Sequence, residues 1–357
     1  MTTEMDSRLT FSEINETACM RRHQFAYVLG IRPRVTATAL RIGSAIHLAL
    51  ECRAHGGTVE DATECAVAGY DAPGDALARE VIRILVHAYY WRYGADTFVY
   101  EAVEESFDVP IVNPETGRAS RTFTVAGRRD ARIACVDERR AVMEHKTAGV
   151  HIGPDADYWL RLRIDLQPSI YLMTARQEGH RADYVLYDVI RKPTIAPKLL
   201  TQADTKQLHM TSSYFGLPCR IEFNSIGEIE FVNGEPMPEI KQGTNGYAIR
   251  ETVGMFGARL WRDIQERPDY YFARREITRL ESDIAEAQAD LWQYASLIRE
   301  ASRLNHWPRR TSQCVGFGRC PYFSLCTSGF TGADLSRLPP EFEIVQNVHQ
   351  ELEQEGE

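Results

Sequence analysis

A carboxylate and an amine lie two residues apart in an otherwise apolar stretch, residues 141–149. If this stretch is a strand, Glu144 and Lys146 point to one face and His145 to the other, because successive side chains alternate. An acid and a base on one face can act together in a reaction. A salt bridge at the end of a strand would explain the same two residues. The surrounding motifs decide between these two interpretations.

Asp130 lies in the preceding strand-like stretch. Thirteen residues separate it from Glu144, and the segment between them is typical of a β-hairpin. Strands joined in this way bring the two carboxylates side by side, where like charges repel unless a cation lies between them. Hard divalent cations such as Mg²⁺ and Mn²⁺ bind carboxylate oxygens and stabilise phosphate chemistry. The pair therefore indicates a divalent metal site.

Two helical patterns could bring further polar groups to this place. Within residues 38–57, Gly43 and His47 are four residues apart and share one face of a predicted helix. Gly43 would let the helix approach a sheet closely, although a lone histidine such as His47 is more often a core residue than a ligand. Within residues 156–178, Gln167 and Tyr171 have the same spacing on another predicted helix.

In this order, the patterns resemble the motifs of the PD-(D/E)XK nuclease superfamily, in its RecB/AddB-like branch. That branch has G-x-x-x-H on a helix, Asp at the end of a strand, E-x-K on the next strand and Q-x-x-x-Y on the following helix. The resemblance spans most of residues 10–330. It implies an α/β, restriction-endonuclease-like fold with a mixed central sheet flanked by helices.

The resemblance also implies roles for these residues. One or two Mg²⁺ or Mn²⁺ ions would be bound by the side chains of His47, Asp130 and Glu144 and by the backbone carbonyl of His145. Lys146 would orient or deprotonate the attacking water and stabilise the developing negative charge. Gln167 and Tyr171 would hold the substrate phosphate or strand. Nearby arginines would contact the DNA backbone, namely Arg129, Arg161 and Arg163.

Cysteines form a second signature, with one near the N-terminus and three in a short C-terminal window: Cys19, Cys314, Cys320 and Cys326. This distribution is similar to that of iron–sulfur RecB-like nucleases, including CRISPR-adaptation and phage exonucleases. The resemblance implies a 4Fe–4S cluster that joins the N-terminal helices to the C-terminal cysteine-rich segment. The spacing here is C-x5-C-x5-C, whereas C-x2-C-x5-C is usual. Structural zinc and four unrelated thiols remain alternatives.

The charge distribution allows nucleic acid as a partner. The net charge is −9, but residues 341–357 hold six acids and no Lys or Arg, so the preceding part of the chain carries only −3. Overall acidity does not exclude a locally basic groove. Arginines occur in close pairs that could line one, at positions 21 and 22, 128 and 129, 161 and 163, and 309 and 310.

Location and partners follow from what the sequence lacks. We expect a cytoplasmic protein of a bacterial or phage-infected cell, without a membrane partner, because we find no signal peptide and no apolar run near the roughly 20 residues of a membrane span. The expected partner is DNA, as single strands or duplex ends. We find no G-x-x-x-x-G-K-[ST] motif, so a helicase or recombination motor would be a separate subunit.

The segments that must position these residues divide into five. We predict an N-terminal helical region (1–97), a nuclease core (98–193), an insertion (194–250), C-terminal helices with the cysteine cluster (251–330) and a poorly ordered acidic tail (331–357). Predicted helices cover residues 11–30, 38–57, 75–94, 156–178 and 276–303. Predicted strands cover residues 97–111, 121–136, 139–147 and 182–192.

These observations predict a metal-dependent DNA nuclease. We expect an exonuclease that hydrolyses phosphodiester bonds at DNA ends or in single strands, in recombination, repair or phage DNA metabolism. The alternative is a catalytically silent iron–sulfur module that binds DNA or a partner within a nuclease complex. The presence of Asp130, Glu144 and Lys146 together favours the enzyme, because a decayed site would have lost at least one of them.

Overall fold

A computed structural model of the chain describes residues 7–35, 37–72, 74–237, 239–244, 246–316 and 318–352. The α-helices are α1 (Phe11–Glu16), α2 (Met20–His23), α3 (Thr38–Ala54), α4 (Val59–Ala68), α5 (Ala76–Tyr93), α6 (Asp157–Leu162), α7 (Leu166–Gln177), α8 (Gln202–Thr211), α9 (Val253–Glu266), α10 (Pro268–Tyr271), α11 (Glu281–Leu304) and α12 (Phe323–Thr327). A π-helical turn follows α2 at Gln24–Val28, and 3₁₀ turns occur at Thr311–Gln313, Leu335–Arg337 and Gln350–Leu352.

The strands are β1 (Arg8–Leu9), β2 (Ile31–Pro33), β3 (Val99–Val112), β4 (Ala119–Ala134), β5 (Arg140–Ala148), β6 (Tyr184–Arg191), β7 (Ser213–Tyr214), β8 (Leu217–Pro218), β9 (Ile221–Phe223), β10 (Ile229–Val232), β11 (Glu235–Pro236), β12 (Ile240–Gly243), β13 (Gly246–Ile249), β14 (Phe272–Ile277) and β15 (Phe342–Ile344). No helix in the described ranges is both long and apolar enough to cross a membrane.

A mixed sheet forms the centre of the fold. The long strand β4 pairs with antiparallel β3 along one edge. Along its other edge β4 pairs first with parallel β1, at Leu9 and Val125, and then with antiparallel β5, at Ala131 and Met143. The sheet continues from β5 to parallel β6 and then to antiparallel β14. Strand β4 therefore pairs with three other strands. Asp130 lies on β4 directly before Ala131, the first residue that pairs with β5.

Helices cover both faces of this sheet. Leu172 of α7 and Leu291 of α11 belong to one buried cluster with the apolar face of the sheet. On the other side, Ile46, Leu85 and Leu260 come from α3, α5 and α9 and form a second cluster. The predicted α/β architecture, a mixed sheet flanked by helices, is confirmed.

The predicted helix over residues 11–30 is interrupted. α1 ends at Glu16, and Thr17 closes it because its hydroxyl donates a 2.6 Å hydrogen bond to the carbonyl of Ile14. Cys19 has extended backbone angles and precedes α2. The prediction of one continuous helix is therefore wrong, since local side-chain bonding ended the helix early. The break leaves the Cys19 side chain at a helix end.

The predicted helix over residues 156–178 is also two helices, α6 and α7. Asp165 separates them and accepts a 3.0 Å hydrogen bond from the backbone N–H of Gln167, which starts α7. Pro168 falls in the first turn of α7, where a missing backbone donor costs nothing.

Two C-terminal predictions are wrong. The helix expected from residue 276 starts at Glu281, because Glu276 and Ile277 end β14, which pairs with β6. The tail expected to be poorly ordered is packed on the fold: β15 pairs with β2, and the side chain of His349 is 1% exposed. Tertiary pairing explains both differences. Residues 353–357 of the predicted tail lie outside the described residues.

The segment 194–250 forms small sheets around its own apolar cluster. Helix α8 and β7–β13 enclose buried residues that include Leu208, Ile229 and Ile249. The division of the chain into five segments stays a prediction.

Candidate active site

The four sequence motifs meet at one cleft. Its walls include the side chains that the motifs contribute, namely His47, Asp130, Glu144, Lys146, Gln167 and Tyr171. Helix α3 supplies the histidine, β4 and β5 supply the charged residues, and α7 supplies the amide and the phenol. Residues separated by more than 100 positions in the sequence therefore share one cavity.

The end of the β4–β5 pairing places the two carboxylates together. Ala131 and Met143 are the last paired residues, so Asp130 and Glu144 are opposite one another one position beyond. Oδ2 of Asp130 accepts a 2.6 Å hydrogen bond from the backbone N–H of His145. This bond lies where the backbone pairing of β4 and β5 has ended, and it fixes the orientation of the Asp130 carboxylate.

Glu144 is buried with one oxygen free. Its side chain is 2% exposed, and its Oε1 contacts Nζ of Lys146 and accepts a 3.0 Å bond from Nε2 of Gln167. No described residue donates a hydrogen bond of good geometry to Oε2, although the hydroxyl of Tyr171 is close enough to the carboxylate to lower its pKa. Burial raises the pKa of Glu144, the charge of Lys146 opposes this, and the charge of Asp130 adds to it. A buried carboxylate oxygen without a partner costs free energy, and a bound cation would remove that cost.

Lys146 is held in its charged form. Burial opposes the ammonium group, but attraction to Glu144 and Asp130 outweighs burial and raises the pKa of Lys146. A protonated amine donates hydrogen bonds and carries positive charge. In this state Lys146 can orient a water molecule or a phosphate oxygen.

His47 is close to Asp130 and is neutral. Nδ1 of His47 lies 3.7 Å from Oδ1 of Asp130. Burial and the nearby charges of His145 and Lys146 lower the pKa of His47. A neutral imidazole is the form that binds metal ions.

The side chain of His145 does not line the cleft but lies next to it. Its ring is 6.4 Å from the ring of His47, and its Nδ1 is 3.0 Å from Oδ2 of Asp188. Asp188 is fully buried and also contacts Tyr89 and Arg274. Burial opposes charge on His145, but its contact with Asp188 outweighs burial and raises the pKa of His145. The ring thus belongs to a buried ionic network beneath the site.

Arg129 is not available to DNA. Its side chain has no exposed surface and contacts Glu105 at 2.9 Å, Glu178 at 2.6 Å and Thr174 at 2.8 Å. The expectation that it contacts a DNA backbone is corrected, because the strand turns this arginine into the core. Arg161 has a side chain that is 70% exposed.

Arg163 is exposed, and neither it nor Arg161 lines the cleft. Both arginines stay candidates for contacts outside the cleft.

A third carboxylate, which no sequence pattern predicted, lies beside the site. Val103 pairs with Ala131 and Glu105 with Arg129, so Glu104 faces Asp130 across the β3–β4 ladder. Its φ of +49° is strained for a residue with a side chain. Burial and the charge of Asp130 raise the pKa of Glu104 to about 7.

The position of Glu104 depends on strand register, which the sequence patterns alone did not fix. Arg128 of the cleft wall contacts Glu104 at 2.6 Å and partly offsets its charge.

The cysteines of the second signature also meet. All four line one cavity of about 370 Å³: Cys19, Cys314, Cys320 and Cys326. The backbone N–H of Arg310 donates a 3.4 Å bond to Sγ of Cys19. Burial raises the pKa of the thiols of Cys320 and Cys326. In the described part of the chain, no three His, Cys, Asp or Glu side chains are arranged to hold a metal ion.

Comparison with known proteins identifies the family. The profile of the PD-(D/E)XK nuclease superfamily matches residues 8–327. A search of curated proteins found no match. A solved structure entitled "Crystal structure of SSO0001" is similar at 15% sequence identity with a TM-score of 0.24, over 54% of this chain and 67% of that chain. The profile match covers nearly the whole chain and includes every motif residue of the cleft. The chain belongs to the PD-(D/E)XK nuclease superfamily.

Proposed function

We propose that this nuclease-superfamily protein is a metal-dependent deoxyribonuclease of the RecB/AddB-like branch. It acts as an exonuclease on DNA ends or single strands, in recombination, repair or phage DNA metabolism. The observation that carries the proposal is the free Oε2 of Glu144, buried opposite Asp130 with Lys146 on the same face of β5. The ion pair with Lys146 engages Oε1 and leaves Oε2 available to a cation.

The donor set fits Mg²⁺ or Mn²⁺. Asp130 and Glu144 offer carboxylate oxygens, and His47 and the backbone carbonyl of His145 complete the proposed ligands. Mg²⁺ takes one or two carboxylates from a protein and completes its shell with water and substrate phosphates. A preformed cage of three side chains, which the described residues do not contain, is therefore not required. When bound, the ion activates a water molecule and neutralises phosphate charge.

The residues of the chain supply orientation and charge. Lys146 donates to the attacking water or to the phosphate and stabilises the negative charge that develops on it. Gln167 donates to both Glu144 and Tyr171, while the hydroxyl of Tyr171 donates to the backbone carbonyl of Arg128 at 3.3 Å. Both groups of the Q-x-x-x-Y motif are thus engaged with protein atoms. In this proposal they position Glu144 rather than bind the substrate directly.

The four cysteines hold a 4Fe–4S cluster in this proposal, with zinc as the alternative. A single zinc ion needs its ligands about 2.3 Å from one point, and the described thiols do not converge in this way. Four thiolates around a shared cavity suit the larger cluster, in which each sulfur binds a different iron. Such a cluster would connect the turn after α1 to residues 314–326.

A nuclease assay tests the proposal. The protein, purified without oxygen, is incubated with Mg²⁺ or Mn²⁺ and with end-labelled linear and circular DNA, each single-stranded and duplex. Asp130→Asn should lose at least about 100-fold in rate because it loses a charged ligand. Asp137→Asn is the matched control, since Asp137 is an exposed acid in the β4–β5 turn. No cleavage by the parent with either metal, or equal rates for parent and Asp130→Asn, would refute the proposal.

A further inference from the structure

The C-terminal segment, residues 339–352, packs against the N-terminal part of the fold and contributes Glu351 to the wall of the cleft. β15 pairs with β2, the N–H of Val345 donates a 2.8 Å bond to the carbonyl of Gly30, and Nη2 of Arg32 donates a 2.9 Å bond to the carbonyl of Val348. This segment follows residue 327, where the match to the family ends. It therefore lies outside the residues matched by the family profile.

His349 anchors the end of this segment. Its side chain is 1% exposed, with Nε2 3.5 Å from Oε2 of Glu13 and its ring 5.4 Å from that of Tyr27. The 3₁₀ turn at Gln350–Leu352 then places Glu351 over β4. The carboxylate is held there because Oγ1 of Thr10 donates a 2.6 Å bond to its Oε1.

Glu351 lines the same cleft as Asp130 and Lys146. Leu9 pairs with Val125 in parallel register, so Thr10 lies beside Ala126 of β4. Asp130 is four residues farther along β4, which corresponds to about 13 Å of strand. The Glu351 carboxylate therefore stands at the end of the cleft away from the catalytic charges.

Burial of Glu351 favours its neutral form, but its contacts with His349 and Thr10 outweigh burial and lower its pKa. The group is thus ionised near neutral pH. A phosphate beside Lys146 is attracted, whereas a phosphate near Thr10 meets a fixed negative charge.

We infer that Glu351 closes one end of the cleft to a continuing DNA backbone, so that the cleft accepts a strand that terminates within it. The inference rests on the proposed DNA nuclease function and names its substrate as a free DNA end. Thr10 donates a hydrogen bond to the carboxylate, and Nδ1 of His349 lies 3.6 Å from it, so it does not swing aside easily. Glu351 would accordingly be a specificity-determining residue and not a ligand of the catalytic ion.

Linear and circular single-stranded DNA of the same sequence provide the test. The parent should cleave the linear form and leave the circle. Glu351→Gln keeps an oxygen for Thr10 but removes the charge, so the ratio of circular to linear cleavage should rise at least about tenfold. Glu343→Gln is the matched control: it removes one charge from the same segment, where Glu343 pairs with Arg34 at 3.0 Å. This control should behave as the parent does.

Three outcomes would overturn the inference. The first is a parent that cleaves circles as fast as linear DNA. The second is a Glu351→Gln variant with an unchanged ratio of linear to circular cleavage. The third is a variant that loses linear cleavage and needs more Mg²⁺, which would make Glu351 a metal ligand. In each case the proposal of a metal-dependent nuclease survives, because linear DNA is cleaved by the parent, whereas the first outcome would also remove the exonuclease part of that proposal.

If no DNA is cleaved, measurements of DNA binding separate the nuclease proposal from the inference about Glu351. Affinity for the DNA circle is then measured in Ca²⁺, which allows binding without hydrolysis. Glu351→Gln should bind the circle at least about tenfold more tightly than the parent and Glu343→Gln do. Equal affinities would overturn the role of Glu351. Absence of cleavage with tighter binding by Glu351→Gln would reject the nuclease proposal alone.

Discussion

Nε2 of Gln167 donates a 3.0 Å hydrogen bond to Oε1 of Glu144. The same amide donates to the hydroxyl of Tyr171 at 2.8 Å, and that hydroxyl bonds to the backbone of β4. Helix α7 is thereby connected to β4 and β5, the two strands that carry Asp130 and Glu144. The connection holds Oε1 of Glu144 and leaves its Oε2 without a hydrogen bond from the described residues.

Gln167→Leu should weaken catalysis through Glu144. The leucine fills a similar volume but cannot hold the carboxylate, so we expect a loss of about 10- to 100-fold in single-turnover rate. The metal concentration for half-maximal rate should rise. Gln177→Leu, at the exposed end of the same helix, is the control. A Gln167→Leu variant with the rate and metal dependence of the parent would show that this bond does not position Glu144.

Glu104 gives a prediction for stability as a function of pH. Its pKa is raised in the folded protein from 4.5 to about 7. Such a group favours folding at low pH and loses this contribution as the pH rises through the folded pKa. Glu104→Gln cannot ionise, so its free energy of unfolding should rise relative to the parent between about pH 4.5 and 7 and then level off.

Urea unfolding at several pH values measures this difference. Glu101→Gln is the control, because Glu101 is an exposed acid on the same strand. If the difference between Glu104→Gln and the parent is constant across the range, folding does not raise the pKa of Glu104.

Substitutions of Arg129 and Arg161 should have different effects. Loss of Arg129 should lower stability, whereas loss of Arg161 should affect only DNA binding. Arg129→Met removes a fully buried cation that donates to buried Thr174 and pairs with the partly exposed Glu105 and Glu178, so it should cost about 1–3 kcal/mol in the free energy of unfolding. Arg161→Ala, at an exposed site, should change stability by less than about 0.5 kcal/mol. If Arg161 contacts a duplex phosphate, its loss should reduce the slope of log affinity against log salt by about 0.9.

Chemical unfolding and DNA binding at several salt concentrations check both statements. An Arg129→Met protein as stable as the parent would contradict the buried network seen around this arginine. An unchanged salt slope for Arg161→Ala would remove Arg161 from the DNA-binding surface.

Cys19 and the other cavity cysteines lie almost 300 residues apart in sequence, so a shared metal centre closes a loop around the whole nuclease core. The entropy cost of such a loop grows slowly with its length, and a thiolate centre offsets it. We predict a brown protein that contains iron after purification without oxygen. Cys19→Ser should lose the colour and melt several degrees lower, by about 2–4 °C for each kcal/mol lost.

Cys65→Ser is the control, because Cys65 is exposed and lies outside the cavity. If the protein is colourless and contains one zinc per chain, zinc takes the place of the iron cluster and still connects the two ends of the chain. If neither metal is present and Cys19→Ser melts as the parent does, the four-cysteine assignment fails.

The sequence was sufficient to predict which motif residues share the cleft, because the geometry within each motif is local. Strand alternation places Glu144 and Lys146 on one face, and a hairpin brings Asp130 beside them. Helical spacing pairs Gln167 with Tyr171 in the same way. The structure brings these groups into one cleft, with the order of elements that the motif order indicates.

Other features of the site depend on contacts between distant segments. Glu104 faces Asp130 only in one strand register, and Glu351 reaches the cleft from the far end of the chain. Arg129 was misplaced because its burial depends on partners from β3 and α7. An acidic composition predicted a loose tail, but pairing of β15 with β2 stabilises it. None of these contacts has a local sequence signal.

Single-turnover cleavage of end-labelled single-stranded DNA by the parent, Glu144→Gln and Lys146→Met tests the central claim most directly. Each variant should lose at least about 1,000-fold in rate at saturating Mg²⁺, because one removes a metal ligand and the other a charge that acts on water and phosphate. Lys146→Met should still bind Mn²⁺ in a calorimetric titration, whereas Glu144→Gln should not. Rates within threefold of the parent for both variants would contradict the assignment of this cleft as the active site.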